Sequence, residues 1–443
     1  MAHCVARPTP SAPAVHRTAS ELAAVAEACA RGGGSLVVSG LLAGLLVGLL
    51  APAALAGPDG ARVVRGDVSI TRNGSETLIR AGRNSIIDYR SFDIARGETV
   101  RFQQPDAAAR VLNRVQSAQP TRIDGSLLAN GRVYIVNPSG VLFGATARVD
   151  VAGLYAAAGR ISDSDFVRGL DRFTDLSGRV VNEGAITADF VGLLGRSVGN
   201  AGSIDAPQGA VVMAAGNDVL VGRRDGGIHV RVEGRADDAA GPALSNTGEI
   251  DAASGVVSMA AGDVYSMAMR IGGVVRGREI RAAASSGEVH VEGRLDAAAV
   301  RGGGAGGPGR GGRVEVLGEK VGLFDASIDA SGTRGGGQVR IGGDVQGRGD
   351  LPRADVTYVS RGSSVRADAT ERGEGGSVVV WSDRASRVYG DISAKGGVRG
   401  GDGGFIETSS KGQLDLSSRE ISAAAPSGRA GSWLIDPRNV NIT

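Results

Sequence analysis

The residues that could carry out acid–base or metal chemistry are few in this 443-residue chain, which has four histidines and two cysteines. Both cysteines, Cys4 and Cys29, lie near the amino terminus, and only His229 and His290 among the histidines lie beyond residue 56. Each of these two stands between β-branched residues in an alternating segment. That pattern is typical of an outward-facing position on a strand, not of a catalytic histidine.

An enzyme acting on polysaccharides would need a more definite arrangement of groups. A hydrolase needs two carboxylates across a sugar site, and a lyase needs a base and a charge-neutralising cation. The acidic residues show no such motif, and the chain has no Ser-His-Asp constellation, zinc-ligand spacing, Walker loop or dinucleotide fingerprint. Residues 400–405 (GGDGGF) do not recur at nine-residue intervals, so they predict a turn and not a calcium site. The sequence predicts no catalytic residue, no metal site and no cofactor.

Two tripeptides are candidates for receptor binding. Arg65-Gly66-Asp67 and Arg348-Gly349-Asp350 match the tripeptide that integrins bind. A chain with 72 glycines and 49 basic residues produces such matches by chance. Integrin binding through either tripeptide is the alternative to a chance match.

Asn137-Pro138-Ser139-Gly140 has the residue preferences of a type I turn, with Asn first, Pro second and Gly fourth. Apolar residues on both sides of it alternate as they do in strands: Val133, Ile135, Val141 and Phe143. We interpret the motif mainly as a structural turn. Recognition by a partner at the surrounding surface is the alternative, and both roles can hold together.

The first 56 residues have the pattern of a cleaved export signal. Residues 35–50 form an uncharged apolar run that is short for a membrane span, which needs about 20 residues. Ala54 and Ala56 then supply small residues for cleavage before Gly57. A transmembrane anchor is the alternative. The mature chain would contain no cysteine, which suits either a second translocation step in the unfolded state or a large domain that needs no disulfide.

The composition limits the class of fold and of partner. Glycine is abundant (72 residues) but follows no Gly-X-Y period, which excludes collagen. Hydrophobic residues make up 42%, too many for a disordered chain, and aromatic residues only 4%. Basic and acidic residues nearly cancel, 49 against 47, so no nucleic-acid partner is predicted. This composition favours many short strands with tight turns and a narrow core.

The chain repeats itself beyond residue 180. Residues 200–206 (NAGSIDA) return as residues 246–252 (NTGEIDA), and an earlier copy begins at Val181. Repeats of short alternating strands indicate a solenoid or a propeller, and a propeller would need more aromatic residues. With coils of about 20 residues, the interval from Asn182 to Asn200 is one coil and that from Asn200 to Asn246 is two. Asn and Gly at the corners are expected to adopt left-handed conformations. Residues 301–312, rich in glycine, are expected to loop out.

Five ordered segments between residues 85 and 144 carry a resemblance to a known family: 85–94 (SIIDYRSFDI), 97–102 (GETVRF), 111–115 (VLNRV), 123–131 (IDGSLLANG) and 132–144 (RVYIVNPSGVLFG). Together they resemble the amino-terminal secretion domain of filamentous haemagglutinin-type exoproteins of two-partner secretion. Asn137 to Gly140 matches the family's asparagine–proline motif, with Ser139 where asparagine is common.

The resemblance implies an all-β fold, a right-handed parallel β-helix of the pectin-lyase-like class. It also implies export to the cell surface or medium through the periplasm and a dedicated outer-membrane β-barrel transporter. We expect a signal peptide at residues 1–56, a secretion domain at 57–175 and a repetitive β-helix rod at 176–443.

Attachment to a surface receptor, a protein or a glycan, is the expected activity, as in an adhesin or agglutinin. Two alternatives remain. A haemolysin or cytolysin exported by the same route would need a membrane-active segment, and no apolar run of about 18 residues follows residue 56. A β-helical polysaccharide enzyme is the other.

Overall fold

A computed structural model of the chain describes residues 57–224, 227–233, 242–262, 267–299, 309–436 and 439–442. The expected signal peptide, with Ala54 and Ala56 of its cleavage site, lies outside these residues, and the description begins at Gly57. Within the described ranges, no helix is long and apolar enough to cross a membrane.

The amino-terminal part is built from short strands and one α-helix: β1 (Arg62–Arg65), β2 (Val68–Asn73), β3 (Glu76–Ala81), β4 (Ser85–Tyr89), β5 (Thr99–Gln103), β6 (Arg110–Val115), β7 (Thr121–Ile123), β8 (Ser126–Val136), β9 (Val141–Phe143), β10 (Arg148–Ala157) and α1 (Asp163–Arg168). β1 and β2 pair antiparallel with β4 and β3. All other described pairs within the two large sheets are parallel. The first two strands therefore cover the parallel edges that the solenoid would otherwise expose at this end.

The middle part continues with β11 (Asp171–Phe173), β12 (Arg179–Asn182), β13 (Ala185–Thr187), β14 (Phe190–Gly195), β15 (Ser197–Asn200), β16 (Ser203–Asp205), β17 (Ala210–Ala215), β18 (Asp218–Arg224), β19 (Gly227–Glu233), β20 (Leu244–Asn246), β21 (Glu249–Ala261), β22 (Met267–Ile271), β23 (Val274–Ala284), β24 (Glu288–Val291) and β25 (Arg294–Asp296). β11, β18 and β19 form a separate antiparallel sheet of three strands.

The last part contains β26 (Arg313–Leu317), β27 (Lys320–Leu323), β28 (Ser327–Asp329), β29 (Gln338–Ile341), a 3-10 turn (Val345–Gly347), β30 (Val356–Val359), β31 (Ser364–Arg366), β32 (Ser377–Val380), β33 (Ala385–Val388), β34 (Asp391–Ser393), β35 (Phe405–Thr408), β36 (Gln413–Leu416), β37 (Ile421–Ser422), β38 (Ser432–Leu434) and β39 (Asn439–Ile442).

The coils contribute strands to three faces of the solenoid, and neighbouring strands within each face run parallel. Face 1 runs from β5 through the first halves of β8 and β10 to β13, β16 and onward to β37. Face 2 runs from β4 through β6 and the second halves of β8 and β10 to β14, β17 and onward to β38. Face 3 is the 12-stranded sheet from β7 to β39. The fold is therefore a parallel β-helix, which confirms the fold predicted from the sequence.

Inward side chains of successive coils stack into columns. On face 1, one such column is no more than 2% exposed at any position and contains Val149, Ile186, Ile204, Ile250, Val275 and Leu295. Each buried aliphatic side chain of this size stabilises the fold by about 1.5–3 kcal/mol. The alternating Val/Ile pattern of the sequence thus becomes one continuous core along the solenoid.

The expected coil lengths need one correction. Asn182 and Asn200 lie in adjacent coils, as predicted. Asn200 and Asn246 also lie in adjacent coils, although we expected two coils between them. The prediction was wrong because part of the interval leaves the solenoid and forms the hairpin β18–β19. The 301–312 loop lies mostly outside the described residues.

The role of the repeated asparagines also differs from the expectation. Asn182, Asn200 and Asn246 do not adopt left-handed conformations; among described non-glycine residues only Asn84, Asp175, Asp325 and Gln346 have positive φ. The asparagines point inward and are at most 2% exposed. Asn182 Nδ2 donates to Asn200 Oδ1, and Asn200 Nδ2 donates to Asn246 Oδ1, both at 2.8 Å. They form a hydrogen-bonded ladder that satisfies polar groups inside the core.

Candidate functional site

The asparagine–proline motif forms the corner between faces 2 and 3. It connects β8 to β9, and Gly140 N donates to Asn137 O at 2.9 Å, which closes a β-turn. Ser139 does not have positive φ, so the turn is not of type II, whereas Gly140 has φ +123°. The turn predicted from the sequence is confirmed.

The side chain of Asn137 is completely buried and fully used. Its Nδ2 donates to Gln119 O at 3.0 Å and to Thr121 Oγ1 at 3.1 Å, both in the preceding coil. Its Oδ1 accepts from Ser139 N at 2.9 Å. Asn137 therefore fixes its own turn and ties that turn to the coil below.

Neighbouring coils hold the corner from both sides. Ser139 Oγ donates to Ser117 O at 2.8 Å, and Ser177 Oγ of the following coil donates to Pro138 O at 3.1 Å. A Cβ on Gly140 would lie 2.8 Å from Arg179 O, so only glycine fits there. Pro138 and Ser139 are half-buried while Asn137 and Gly140 are buried, so a partner could touch only the middle of the motif.

A groove of about 740 Å³ runs beside this corner. Its lining includes Pro138 of the motif, Val115 of the coil below and Ile161 from the segment that precedes α1. Arg114 on its rim pairs with buried Asp88 at 2.8 Å. Pro138 of the motif therefore lines one side of this groove. Ile161, whose segment belongs to none of the three faces, lines the other side.

That segment is part of a lid on the outer side of face 2, formed by residues 160–176 and by the hairpin β18–β19. α1 begins after Ser162, whose Oγ caps Asp165 N at 3.0 Å, and ends at Gly169 with φ +76°. The lid covers a second apolar cluster that is separate from the solenoid core and includes Tyr134, Tyr155, Phe166, Phe173, Phe190 and Leu194.

Aromatic contacts and one carboxylate fix the lid to the solenoid. Tyr134 and Tyr155 stack with ring centroids 4.6 Å apart, and Phe166 of α1 packs edge-on against Tyr134 at 5.2 Å. Asp171 of the lid accepts from Tyr134 Oη at 2.8 Å and from Tyr155 Oη at 2.6 Å. Burial, followed by the nearby Asp171 charge, raises the pKa of Tyr134, so the phenol remains a donor at neutral pH.

We expect Asp171→Ala to loosen the lid and leave the distal coils intact. The substitution leaves two buried phenol hydroxyls without their acceptor, at a local cost of about 2–3 kcal/mol. Amide exchange within residues 160–176 should rise by about 30-fold or more, while residues 313–434 exchange as in the wild type. Asp163→Ala is the matched control, because it removes only a half-exposed ion pair with Arg114. Equal exchange in the two variants would show that Asp171 does not hold the lid.

Tyr134, Tyr155 and Asp171 are not among the functional residues that the sequence predicts. A usable signal was present, since most aromatic residues of this aromatic-poor chain lie before residue 191. The remaining predicted positions are dispersed. Both Arg-Gly-Asp tripeptides are exposed, Arg65–Asp67 at the amino-terminal end and Arg348–Asp350 on a loop of face 2.

The two histidines do not share a site. The side chain of His229 lies outside the description, although its backbone belongs to β19. His290 Nε2 lies 3.1 Å from Glu288 Oε2 on the outer side of face 3. In the part of the chain that the structure describes, no group of three or more His, Cys, Asp or Glu residues is placed to hold a metal ion.

Comparison with known proteins gives consistent matches. Residues 54–304 match the family model of the TPS secretion domain. The heme/hemopexin-binding protein of Haemophilus influenzae strain KW20/Rd is 36% identical over 193 residues, which are 40% of this chain and 21% of that protein. A second heme/hemopexin-binding protein of Haemophilus influenzae is 38% identical over 101 residues, 22% of this chain and 11% of that one. The chain thus matches about a fifth or less of the length of these curated relatives.

A solved structure supports the fold directly. The HMW1 secretion domain from Haemophilus influenzae superposes with a TM-score of 0.64 at 26% sequence identity. The match covers 86% of this chain and all of that one. It therefore extends well beyond residue 175, where the sequence analysis placed the end of the secretion domain.

Proposed function

Since this chain belongs to the TPS (two-partner secretion) secretion domain family, we propose that it is exported through a dedicated outer-membrane β-barrel transporter and then attaches to a surface receptor as an adhesin or agglutinin. The family match over residues 54–304 is the observation that carries the export route. It also agrees with the resemblance that residues 85–144 carry.

We assign three roles along the chain. Residues 1–56 are a signal peptide that is cleaved between Ala56 and Gly57. Residues 57–175 begin the secretion domain, and the family match continues past them to residue 304. The later coils of residues 176–443 form the rod that presents a receptor-binding surface. The lid on face 2 takes its partners from β8, β10 and β14, so it docks only after these coils have stacked. Docking would then stabilise the exported part of the chain and oppose its return.

Attachment is the activity that the β-helix supports best. Its three faces present rows of outward side chains at a regular spacing of about 4.8 Å, which suits repeated contacts with an extended receptor. Two curated relatives are named for binding heme and hemopexin, which favours ligand capture as a second candidate. Both candidates act by binding and not by catalysis.

Co-expression with and without a two-partner transporter tests the proposal. We expect full-length protein in the medium or on the cell surface only when the transporter is present, with Gly57 as its first residue by mass spectrometry. Cells carrying the protein should bind red cells without lysing them. Equal release without the transporter would contradict the export route. Lysis would favour a cytolysin, and capture of hemopexin without red-cell binding would favour the second candidate.

A further inference from the structure

An aromatic column lies on the outer side of face 3 in the distal coils. Phe324, Tyr358 and Tyr389 form it, and His290 extends it at the amino-terminal end. Successive ring centroids are 4.9, 5.4 and 5.9 Å apart. None of the four side chains belongs to either apolar core cluster. In a chain with only 4% aromatic residues, this concentration on an outer surface requires an explanation.

Gly322 makes room for the most exposed ring of the column. It lies in register between His290 of β24 and Tyr358 of β30. A Cβ on Gly322 would lie only 2.4 Å from Phe324 Cε2, so the Phe324 ring covers the space that a side chain would take. The ring remains 37% exposed. The column is thus continuous and accessible to solvent.

The surface beside the column carries small side chains with a polar side chain at each end. Val356 and Ala385 lie in register between Lys320 on one side and Gln413 on the other, so small side chains separate two polar ones. At the far end Tyr389 Oη donates to Asp415 Oδ2 at 2.7 Å. Exposed rings beside a flat strip with donors and acceptors at the rim give both apolar and hydrogen-bonding contacts.

Cationic side chains around the column have acidic neighbours. Lys320 Nζ lies 2.8 Å from Glu288 Oε1, and Arg270 lies 2.7 Å from Glu292. Arg387 stands in register with Asp415 in the next coil. A surface whose cations lie close to acidic side chains complements a neutral ligand better than a polyanion.

We propose that this column, with Val356 and Ala385 beside it, binds a neutral oligosaccharide. The apolar C–H faces of pyranose rings pack on Phe324 and Tyr358, and their hydroxyls reach Glu288, Lys320 and Gln413. Coils rise by about 4.8 Å, so a saccharide lying along the solenoid meets a new ring in each coil. The inference rests on the proposed attachment function and names the class of its receptor.

Binding of the mature full-length protein to a glycan array tests this site. The array carries neutral hexose oligomers together with sialylated, uronic-acid and sulfated glycans. We expect binding to neutral oligomers, reduced about tenfold or more by Phe324→Ala and by Tyr358→Ala. Trp433→Ala, which removes an exposed aromatic ring on face 2, is the matched control and should bind as the wild type does. Thermal unfolding verifies that each variant is folded.

The outcomes separate this inference from the function on which it rests. Wild-type affinity in both Phe324→Ala and Tyr358→Ala would overturn the site, and so would binding confined to the acidic glycans. If red-cell attachment were unchanged by both substitutions, the proposed adhesin function would be retained. Its receptor site would then not lie on face 3. Should a variant unfold, Tyr358→Leu keeps an apolar side chain without the ring, and full affinity in that folded variant would equally overturn the proposal.

Discussion

Replacing Gly273 by alanine is expected to destabilise the solenoid by about 3 kcal/mol or more. A Cβ at this position would lie 2.0 Å from Gly248 O, which is backbone of the coil below and cannot swing aside. The preceding Gly272 has no atom within 4 Å of the same imagined Cβ. Gly272→Ala should therefore change the free energy of unfolding by less than about 0.5 kcal/mol. The same substitution is therefore expected to be strongly destabilising at Gly273 and nearly neutral at Gly272.

Urea unfolding of the mature chain, followed by circular dichroism, measures the difference between the two variants. Amide exchange over residues 244–296 then shows whether the loss is local to the coils around Gly273. Similar midpoints for Gly272→Ala and Gly273→Ala would contradict the argument, because they would mean that the coils separate easily enough to admit a methyl group.

The reason for these glycines is close approach and not left-handed geometry. Gly202, Gly248, Gly273 and Gly293 lie above one another at the corner between faces 3 and 1. A Cβ added to any of them would lie 2.0–2.1 Å from the carbonyl oxygen of the glycine in the preceding coil. For Gly202 that glycine is Gly184. None of these has positive φ. Part of the glycine content first noticed in the composition therefore reflects how tightly the coils stack at their corners, while other glycines, such as Gly140, have the positive φ that the sequence predicts.

Local pattern was enough to predict most of the solenoid. Alternation identified the strands on both sides of the turn, β8 (Ser126–Val136) and β9 (Val141–Phe143), and the repeat from Asn182 to Asn200 gave a correct coil. The number of coils predicted between Asn200 and Asn246 was wrong, because strands β18 and β19 alternate like the others but pair antiparallel outside the solenoid. Alternation reports that one side of a strand is buried, and it does not report which sheet buries it.

The candidate site was harder to predict because its partners come from other coils. The turn at Asn137–Gly140 follows from residue preferences alone. The burial of Asn137 depends on Gln119 and Thr121 of the coil below, and the lid depends on Asp171 meeting two tyrosines of different coils. Such contacts depend on the register between coils, which no short motif encodes.

Asn137→Ala is expected to lower the free energy of unfolding by about 2–4 kcal/mol and to reduce export in proportion. The substitution leaves Gln119 O, Thr121 Oγ1 and Ser139 N without the partner they have in the folded corner. A loosened corner disconnects β8 from β9 before the next coils can stack. If export draws on folding outside the membrane, secreted yield should fall with stability. Urea unfolding of the purified chain and the secreted fraction in transporter-bearing cells measure the two quantities.

Asn182→Ala distinguishes a structural role for Asn137 from recognition of the motif. Asn182 is equally buried, and its side chain donates to Asn200 and accepts from Gly184 N, yet it lies outside the motif. The structural interpretation requires that both variants lose similar stability and similar export. If Asn137→Ala abolished export while its purified chain was as stable as a well-exported Asn182→Ala, the transporter would have to recognise the motif itself. Because Asn137 is wholly buried in the folded corner, that recognition would take place before the chain folds.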